Sequence, residues 1–302
     1  MQVQAPSAVV MIRPHHFRSN PETQGDNAFQ TPDQGEVAPR ARLEFDHVVD
    51  SLRAAGVSVH DFDDIGTDTP DSVFPNNWFS THAGGHIAVY PMYAANRRRE
   101  RRWDVIDSLK ANYRVQDVID YSGLEHDGLA LEGTGAMVLD HIARVAYVAK
   151  SHRADPVILE RFCTHFNFEP IAFDAADAQG RPVYHTNVLM AIGTHMALVG
   201  LEMITDPARR AMVADRLAET GRDVIALTPH QIGAFAGNAI ELCGRDGTLL
   251  ALSARALDAL SPEQITRIEA HARLLPLSIP TLETAGGSVR CMIAGLHLSR
   301  RT

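Results

Sequence analysis

The chain has 302 residues, of which 45% are hydrophobic and 22% charged, a composition typical of globular proteins that excludes wholesale disorder, collagen and coiled coil. Its formal net charge of -9 argues against a nucleic-acid partner, and no apolar run reaches the roughly 18 residues of a membrane helix. Three scattered cysteines favour free thiols and a reducing cytoplasm, and no basic segment precedes the first apolar stretch, so no signal peptide is predicted.

Five helices are predicted from the helical spacing of apolar residues and from capping signals. They begin near Pro39, Arg98, Pro156, Pro207 and Pro262. An Asp-Pro pair opens the third and the fourth helix, and Ser261 with Gln264 gives the fifth a capping box. The helices therefore have well-defined starts.

A short β-like run follows each predicted helix, and a hairpin follows four of the five runs. The runs are 57–62, 113–118, 168–173, 224–227 and 274–279, and the hairpins are 78–90, 136–149, 183–200 and 239–252. After the fifth run only one strand remains, 289–298, and the N-terminal strand 8–13 lacks a partner. Pairing of these two terminal strands would complete a fifth unit.

The unit of helix, strand and hairpin recurs roughly every 55 residues. Such a repeat predicts an α/β fold, a five-bladed propeller with pseudo-fivefold symmetry that is closed by the N- and C-terminal strands. An ordinary α/β sandwich with coincidental spacing is the alternative. Because no Pro-, Gly- or Ser-rich linker interrupts the chain, we expect a single catalytic domain over residues 1–302.

Conspicuous polar residues share one position of the repeat, near the start of a hairpin or of the last strand. They are Asn77, Glu132, His185, Asn238 and Cys291. Equivalent positions of a ring converge at one end of its axis, so we expect these side chains to face one another. Each has an ordinary structural role when taken singly, but a thiol, an imidazole and a carboxylate together are the groups of nucleophilic catalysis.

Five short segments also match, in order, segments of a known family. They are 11–14 (MIRP), 70–74 (PDSVF), 131–133 (LEG), His185 and 286–291 (GGSVRC). In them the chain resembles the guanidino-group-modifying enzymes: arginine deiminase, dimethylarginine dimethylaminohydrolase, agmatine deiminase, the amidinotransferases and succinylarginine dihydrolase. The stretches MIRPHHFRSNPET, PNNWFSTH and GTGAMVLD are most similar to the bacterial citrulline-utilisation hydrolases of that superfamily. The fold of the superfamily, the pentein propeller, agrees with the repeat count.

The resemblance implies a catalytic role for three residues. Cys291 would be the nucleophile, His185 the general acid and base, and Glu132 the support of His185 and of the leaving nitrogen. Neither a cofactor nor a metal is implied. The partner would be a small amino-acid substrate, and a homodimer is expected.

Arginines would bind the substrate carboxylate. Arg153 resembles an arginine with this role in the family, and Arg97 or Arg98 resembles a second such contact. A guanidinium can bind a carboxylate through two parallel hydrogen bonds, which orients an α-amino acid. The rest of the run 97–102 is expected to be a solvated helix start.

The substrate is predicted from a departure from the family pattern. Related deiminases have acidic residues just after the segment that begins at Asp71, where this chain has Asn76 and Asn77, and Asn187 replaces an aspartate of arginine deiminases. A carboxylate can only accept hydrogen bonds and suits a guanidinium, whereas an amide both donates and accepts. We therefore predict a neutral ureido substrate, L-citrulline, which would give ornithine, ammonia and carbon dioxide.

Other functions remain open on the sequence. A deiminase or dihydrolase of arginine or of an arginine derivative would use the same thiol, and in an amidinotransferase an amine would replace water. A ribosome-binding factor with a similar fold is disfavoured by the three catalytic groups and the acidic charge. A metal site built on His82 and His86 is disfavoured because these residues flank a turn. The polar N-terminal residues Arg18, Asn20 and Asn27 would form a lid or a solvated loop.

Overall fold

The computed structural model describes residues 4–33 and 35–301. Residues 1–3 lie outside the described residues. They belong to the N-terminal segment for which no signal peptide is predicted. No helix in the described part of the chain combines the length and the apolar character needed to cross a membrane.

Nine α-helices lie within the described residues. They are α1 (Ala38–Ala54), α2 (Trp103–Asn112), α3 (Gly133–Ala136), α4 (Pro156–Phe166), α5 (Pro207–Ala218), α6 (Pro229–Gly233), α7 (Ala254–Ala259), α8 (Pro262–Glu269) and α9 (Val289–Met292). The Asp155 and Ser261 side chains cap α4 and α8 as predicted, and Gln264 completes the capping box of α8.

Fifteen strands are found in the same residues. They are β1 (Ala8–Pro14), β2 (Ser58–Asp64), β3 (Phe79–His82), β4 (His86–Val89), β5 (Asp117–Asp120), β6 (Met137–Asp140), β7 (Val145–Ala149), β8 (Glu169–Phe173), β9 (Met190–Ile192), β10 (Met196–Val199), β11 (Asp223–Ala226), β12 (Ile240–Gly244), β13 (Gly247–Ser253), β14 (Arg273–Leu277) and β15 (Ala294–Gly295). The four predicted hairpins are β3–β4, β6–β7, β9–β10 and β12–β13.

The strands form five sheets of one design, which confirms the predicted repeat. Each sheet has three strands: the central strand pairs antiparallel with one neighbour and parallel with the strand that follows the next helix. A helix in each crossover is what parallel neighbours require. In the first sheet the two ends of the chain meet, because β1 pairs with β15 through Val9 and Val10 and in parallel with β2.

The five sheets meet around one space. The strands β3, β6, β9, β12 and β15, one from each sheet, all contribute to the wall of a cavity of about 50 Å³, which we call the axial cavity. Apolar side chains on the inner faces of helices pack behind the sheets; in α1 these include Phe45, Val48 and Leu52.

Four predicted boundaries are wrong; one is the start of the third hairpin, expected at residue 183, since β9 begins at Met190. The second helix begins at Trp103 rather than near Arg98, because residues 96–100 form a 3₁₀ turn in which the Arg97 side chain bends back onto Glu100. The strand expected at 113–118 is β5, four residues later at its start. The last predicted strand, 289–298, begins instead with the helical turn α9, since the Cys291 amide donates to the Ser288 carbonyl.

Candidate active site

The predicted site residues lie at equivalent points of the repeat, just before the first strand of a sheet. Asn77 ends a 3₁₀ turn before β3, Glu132 precedes α3 and β6, and His185 precedes the turn that leads into β9. Asn238 comes before β12, and Cys291 lies in α9 before β15. The pseudosymmetry thus brings together residues that are far apart in sequence.

Twelve residues line a small cavity, which we call the catalytic cavity. They are Thr23, Asn27, Asp71, Phe74, Asn77, Arg97, Arg153, Tyr184, His185, Ala285, Gly287 and Cys291. Six of them were predicted as site residues from the sequence. The thiol and the imidazole therefore face the same space, which is the arrangement that a thiol nucleophile and its proton carrier need.

Two asparagines hold the thiol. The Nδ2 atoms of Asn187 and Asn238 lie 3.2 and 3.3 Å from Sγ of Cys291, which is 2% exposed. Asn238 also accepts the Arg290 amide at 3.0 Å and donates to the Asn187 carbonyl at 3.0 Å. Asn187 and Asn238 thus position the sulfur.

His185 and Glu132 form a buried pair. Nε2 of His185 lies 2.8 Å from Oε2 of Glu132, and both side chains are almost fully buried. Burial lowers the pKa of His185 despite the opposing effect of Glu132. Burial also opposes ionisation of Glu132, but Arg153, His185 and Arg97 outweigh it and hold the pKa of Glu132 well below its usual range. The carboxylate is therefore ionised, and His185 is neutral at pH 7 with its proton on Nε2.

A glycine packs against the other imidazole nitrogen. A Cβ atom at Gly135 would lie 2.8 Å from Nδ1 of His185 and 2.1 Å from the Asn77 side-chain amide. Any larger residue would displace one of these groups. Gly135 lies in the stretch GTGAMVLD, which was one of the segments similar to the family, but it was not itself predicted as a site residue.

Arg97 links several groups of the site. Its guanidinium forms a two-point ion pair with Glu100 and lies 3.5 Å from Oε2 of Glu132 and 3.7 Å from Oδ2 of Asp71. With its amide oxygen facing Arg97, Asn77 accepts two hydrogen bonds of 3.0 Å from the same guanidinium. Arg97 is thereby fixed at the wall of the cavity with its charge shared among carboxylates.

Asp71 offers an acceptor without a donor. One of its oxygens accepts from Asn20 at 2.7 Å, while Oδ1 is buried and has no hydrogen-bond partner among the described residues. Burial raises the pKa of Asp71 against the lowering effect of Arg97. An unpaired buried acceptor at a cavity wall is a place where a ligand N–H can bind.

Arg153 is paired with a residue that the sequence did not single out. Its Nε and Nη2 atoms donate to the two carboxylate oxygens of Asp26 at 2.8 and 2.5 Å, and Nη1 lies 3.4 Å from Glu132. Asp26 belongs to the N-terminal segment that also contributes Thr23 and Asn27 to the catalytic cavity. In the sequence, only the polar composition of this segment indicated that it could lie over the site.

Five predicted residues do not line the cavity: Glu132, Asn187 and Asn238, which contact His185 or Cys291, and also Arg98 and Asn76. The Arg98 side chain donates to the Met92 carbonyl at 3.1 Å and lies 3.7 Å from the Glu125 carboxylate. The prediction that it binds the substrate carboxylate is therefore wrong. Asn76 is fully buried, and its side-chain oxygen accepts a hydrogen bond from the Asn77 side-chain amide. Asn76 therefore supports a wall residue and does not itself line the cavity. The described residues contain no group of three or more side chains suited to a metal ion.

A buried thiol, an imidazole–carboxylate pair and two arginines, set where five repeated sheets meet, define an enzyme of the guanidino-group-modifying class. The family model described as N,N dimethylarginine dimethylhydrolase, eukaryotic, matches residues 13–298. The chain belongs to this family, and hence to the pentein (amidinotransferase) superfamily. It is a hydrolase acting on C–N bonds other than peptide bonds, as predicted.

Solved structures show the same fold at low sequence identity. The N-terminal domain of ArgZ, a cyanobacterial arginine dihydrolase, in a mutant bound to substrate, gives a TM-score of 0.75 at 14% identity over 96% of this chain and 99% of that one. A dimethylarginine dimethylaminohydrolase adduct with S-methyl-L-thiocitrulline gives 0.68 at 13% identity over 98% and 100%. A binary complex of an AgrE mutant with L-arginine gives 0.73 at 15%, over 95% of this chain and 40% of that one. No curated protein matches the sequence.

Proposed function

We propose that this protein hydrolyses the ureido group of L-citrulline through a covalent intermediate on Cys291. The observation that carries this proposal is the neutral amide of Asn77 at the wall of the catalytic cavity. Its oxygen is occupied by Arg97, and one of its two N–H groups donates to Asn76. The second N–H can donate to a substrate carbonyl, which a ureido group has and a guanidinium lacks.

Charge at the cavity wall supports a neutral reacting group. Among the described lining residues, Arg97 and Arg153 are cations, Asp71 is the single carboxylate, and His185 is neutral. Arg97 and Arg153 are paired with carboxylates outside this lining, Glu100 and Asp26, so the wall is close to neutral and gives a cationic guanidinium little net attraction. An α-carboxylate would be attracted by the same two arginines.

The protons balance through His185. The Cys291 S–H proton passes to Nδ1 of His185, and the thiolate attacks the ureido carbon. The bond to the side-chain nitrogen then breaks as His185 returns the proton to the leaving amine, which gives ornithine and an S-carbamoyl enzyme. Water, deprotonated by His185, attacks the same carbon; the S–C bond breaks, and the carbamate released decomposes to ammonia and carbon dioxide. Glu132 holds the imidazole in the required tautomer.

Hydrolysis of arginine or of a methylated arginine is the second candidate. It is favoured by the unpaired Oδ1 of Asp71, which suits a guanidinium N–H. The family model and the relatives with arginine or thiocitrulline ligands support the same substrate class. An amidinotransferase would use the same covalent step with an amine in place of water.

The remaining parts of the proposal concern the whole chain. We infer that the five sheets close into a five-bladed propeller and that residues 1–302 form one catalytic domain; the pairing of β1 with β15 and the shared axial cavity support this. Three free cysteines support a cytoplasmic location. The proposed partner is a small amino acid, and a homodimer remains a prediction.

The test compares kcat/KM for citrulline, arginine, dimethylarginine, agmatine and succinylarginine, with ammonia and amine products quantified. We expect citrulline to be preferred, and Asn77→Asp to move the citrulline-to-arginine ratio roughly tenfold or more toward arginine, since a carboxylate cannot donate to the ureido oxygen. Asn112→Asp adds the same charge on the exposed end of α2 and should leave the ratio unchanged.

Cys291→Ser should abolish turnover of every substrate. A wild-type preference for arginine would favour the second candidate, arginine hydrolysis, over citrulline hydrolysis. Full activity of Cys291→Ser would rule out both proposed functions.

A further inference from the structure

The axial cavity lies directly behind the catalytic cysteine. Cys291 lines the catalytic cavity, whereas its neighbour Arg290 lines the axial cavity. The turn α9 therefore separates the two spaces and places one functional group in each. The proposed reaction assigns no role to the axial cavity, although with about 50 Å³ it is larger than the catalytic cavity.

The Arg290 guanidinium has no counterion among the described residues. Its side chain makes one hydrogen bond, from Nη1 to the Ile293 carbonyl at 3.0 Å, and no carboxylate of the described residues lies within 4.0 Å of it. Burial lowers its pKa to about 10. Arg290 is only partly exposed, so its charge is less screened than on an open surface and attracts a bound anion more strongly.

The other walls do not neutralise Arg290. Glu241 is the single carboxylate among the described residues of the axial cavity, and it is held by the Thr194 amide and hydroxyl at 2.8 and 2.6 Å. His141, stacked on His297 at 3.9 Å, has its pKa lowered by burial and by neighbouring cations, among them Arg290. A neutral His141 can still donate an N–H to a ligand in the cavity.

We propose that the axial cavity binds a compact monovalent anion, halide or bicarbonate, on Arg290. Both ions present a single diffuse negative charge that a guanidinium can bind, and both fit the available volume. Chloride would come from the solvent, whereas bicarbonate forms by hydration of the carbon dioxide that the proposed reaction releases. The site itself does not depend on the identity of the substrate.

Thermal unfolding tests the proposal in wild type and in Arg290→Met, which keeps the volume of the side chain and removes its charge. At constant ionic strength, replacing gluconate by chloride should raise the wild-type Tm by roughly 2 °C in a saturable way, and bicarbonate should do so in a separate series. Arg290→Met should lose at least three quarters of this shift. Arg216→Gln, on a surface arginine paired with Glu169 and Glu219, should keep it.

A wild-type Tm that responds equally to gluconate, chloride and bicarbonate would overturn the proposal, as would an undiminished shift in Arg290→Met. If only one of the two series shows the shift, that ion is the ligand. Should Arg290→Met fail to fold, chloride NMR on the wild type replaces it: excess line width that bicarbonate or bromide displaces supports the site, and its absence contradicts it. Because these readouts are independent of turnover, failure here is distinguishable from failure of the proposed citrulline chemistry.

Discussion

At the scale of single residues, the proton carrier decides whether the site can work near neutral pH. His185 must be neutral to take the Cys291 proton, and its burial disfavours the imidazolium. The hydrogen bond from Nε2 to Glu132 leaves Nδ1 as the ring nitrogen that can accept a proton. The ordinary histidine pKa would leave part of the enzyme inactive below neutrality, and the lowered value avoids this.

We therefore predict the acid limb of the pH profile. Because the pKa of His185 is lowered, its free-base form persists below pH 6.5, and kcat/KM for the preferred substrate should fall only below the ordinary histidine value of about 6.5. NMR titration of the imidazole, assigned by comparison with His185→Gln, should give the same midpoint. An acid limb above the ordinary value would contradict the proposed role of neutral His185.

The sequence revealed the residues that the repeat places in phase or that the family resemblance marks, and it missed Asp26, which neither signal marks. Cys291, His185 and Glu132 share a repeat position, so pseudosymmetry alone brought them together. Asp26 reaches Arg153 across 127 residues from an irregular segment. Neither periodicity nor spacing encodes such a contact, because it depends on how that segment lies over the finished site.

At the scale of elements, the helices with side-chain caps were the most predictable. Capping is local, since a side chain and an amide three residues away suffice, so Ser261 and Gln264 could be recognised directly. The helical turn at Cys291 could not be recognised from the sequence, because it depends on hydrogen bonds to residues far away in the chain. The Arg290 amide donates to the Asn238 side chain, 52 residues away.

The cap of α8 gives a test of stability without an effect on catalysis. Ser261→Ala removes the acceptor of the Gln264 amide and should lower the free energy of unfolding by about 1 kcal/mol. Residue 261 does not line the catalytic cavity, so kcat/KM should stay unchanged. Ser261→Asp keeps a cap acceptor and should restore most of the stability in urea unfolding. Equal destabilisation by both substitutions would show that the cap is unimportant.

At the scale of the whole molecule, the two chain ends share one sheet. Strand β1 is central, with β15 on one side and β2 on the other, so the first and last parts of the chain are joined by backbone hydrogen bonds. The sequence predicted this pairing from the count of strands, since the last unit was one strand short. Because the first sheet needs strands from both terminal parts of the chain, loss of either part would leave an unpaired strand edge.

Breaking the central strand should therefore affect the molecule as a unit. Val10 is fully buried and pairs with Ala294 and His60. Val10→Pro removes an amide from a central strand and should lower the unfolding free energy by more than roughly 1 kcal/mol, whereas Val10→Ala keeps the amide and isolates the loss of volume. In urea, loss of activity and tryptophan fluorescence should still follow one coincident transition, shifted to lower concentration in the proline variant. If the two signals separate, with activity lost first and most fluorescence retained, the sheets unfold independently and a closed propeller is not the unit of stability.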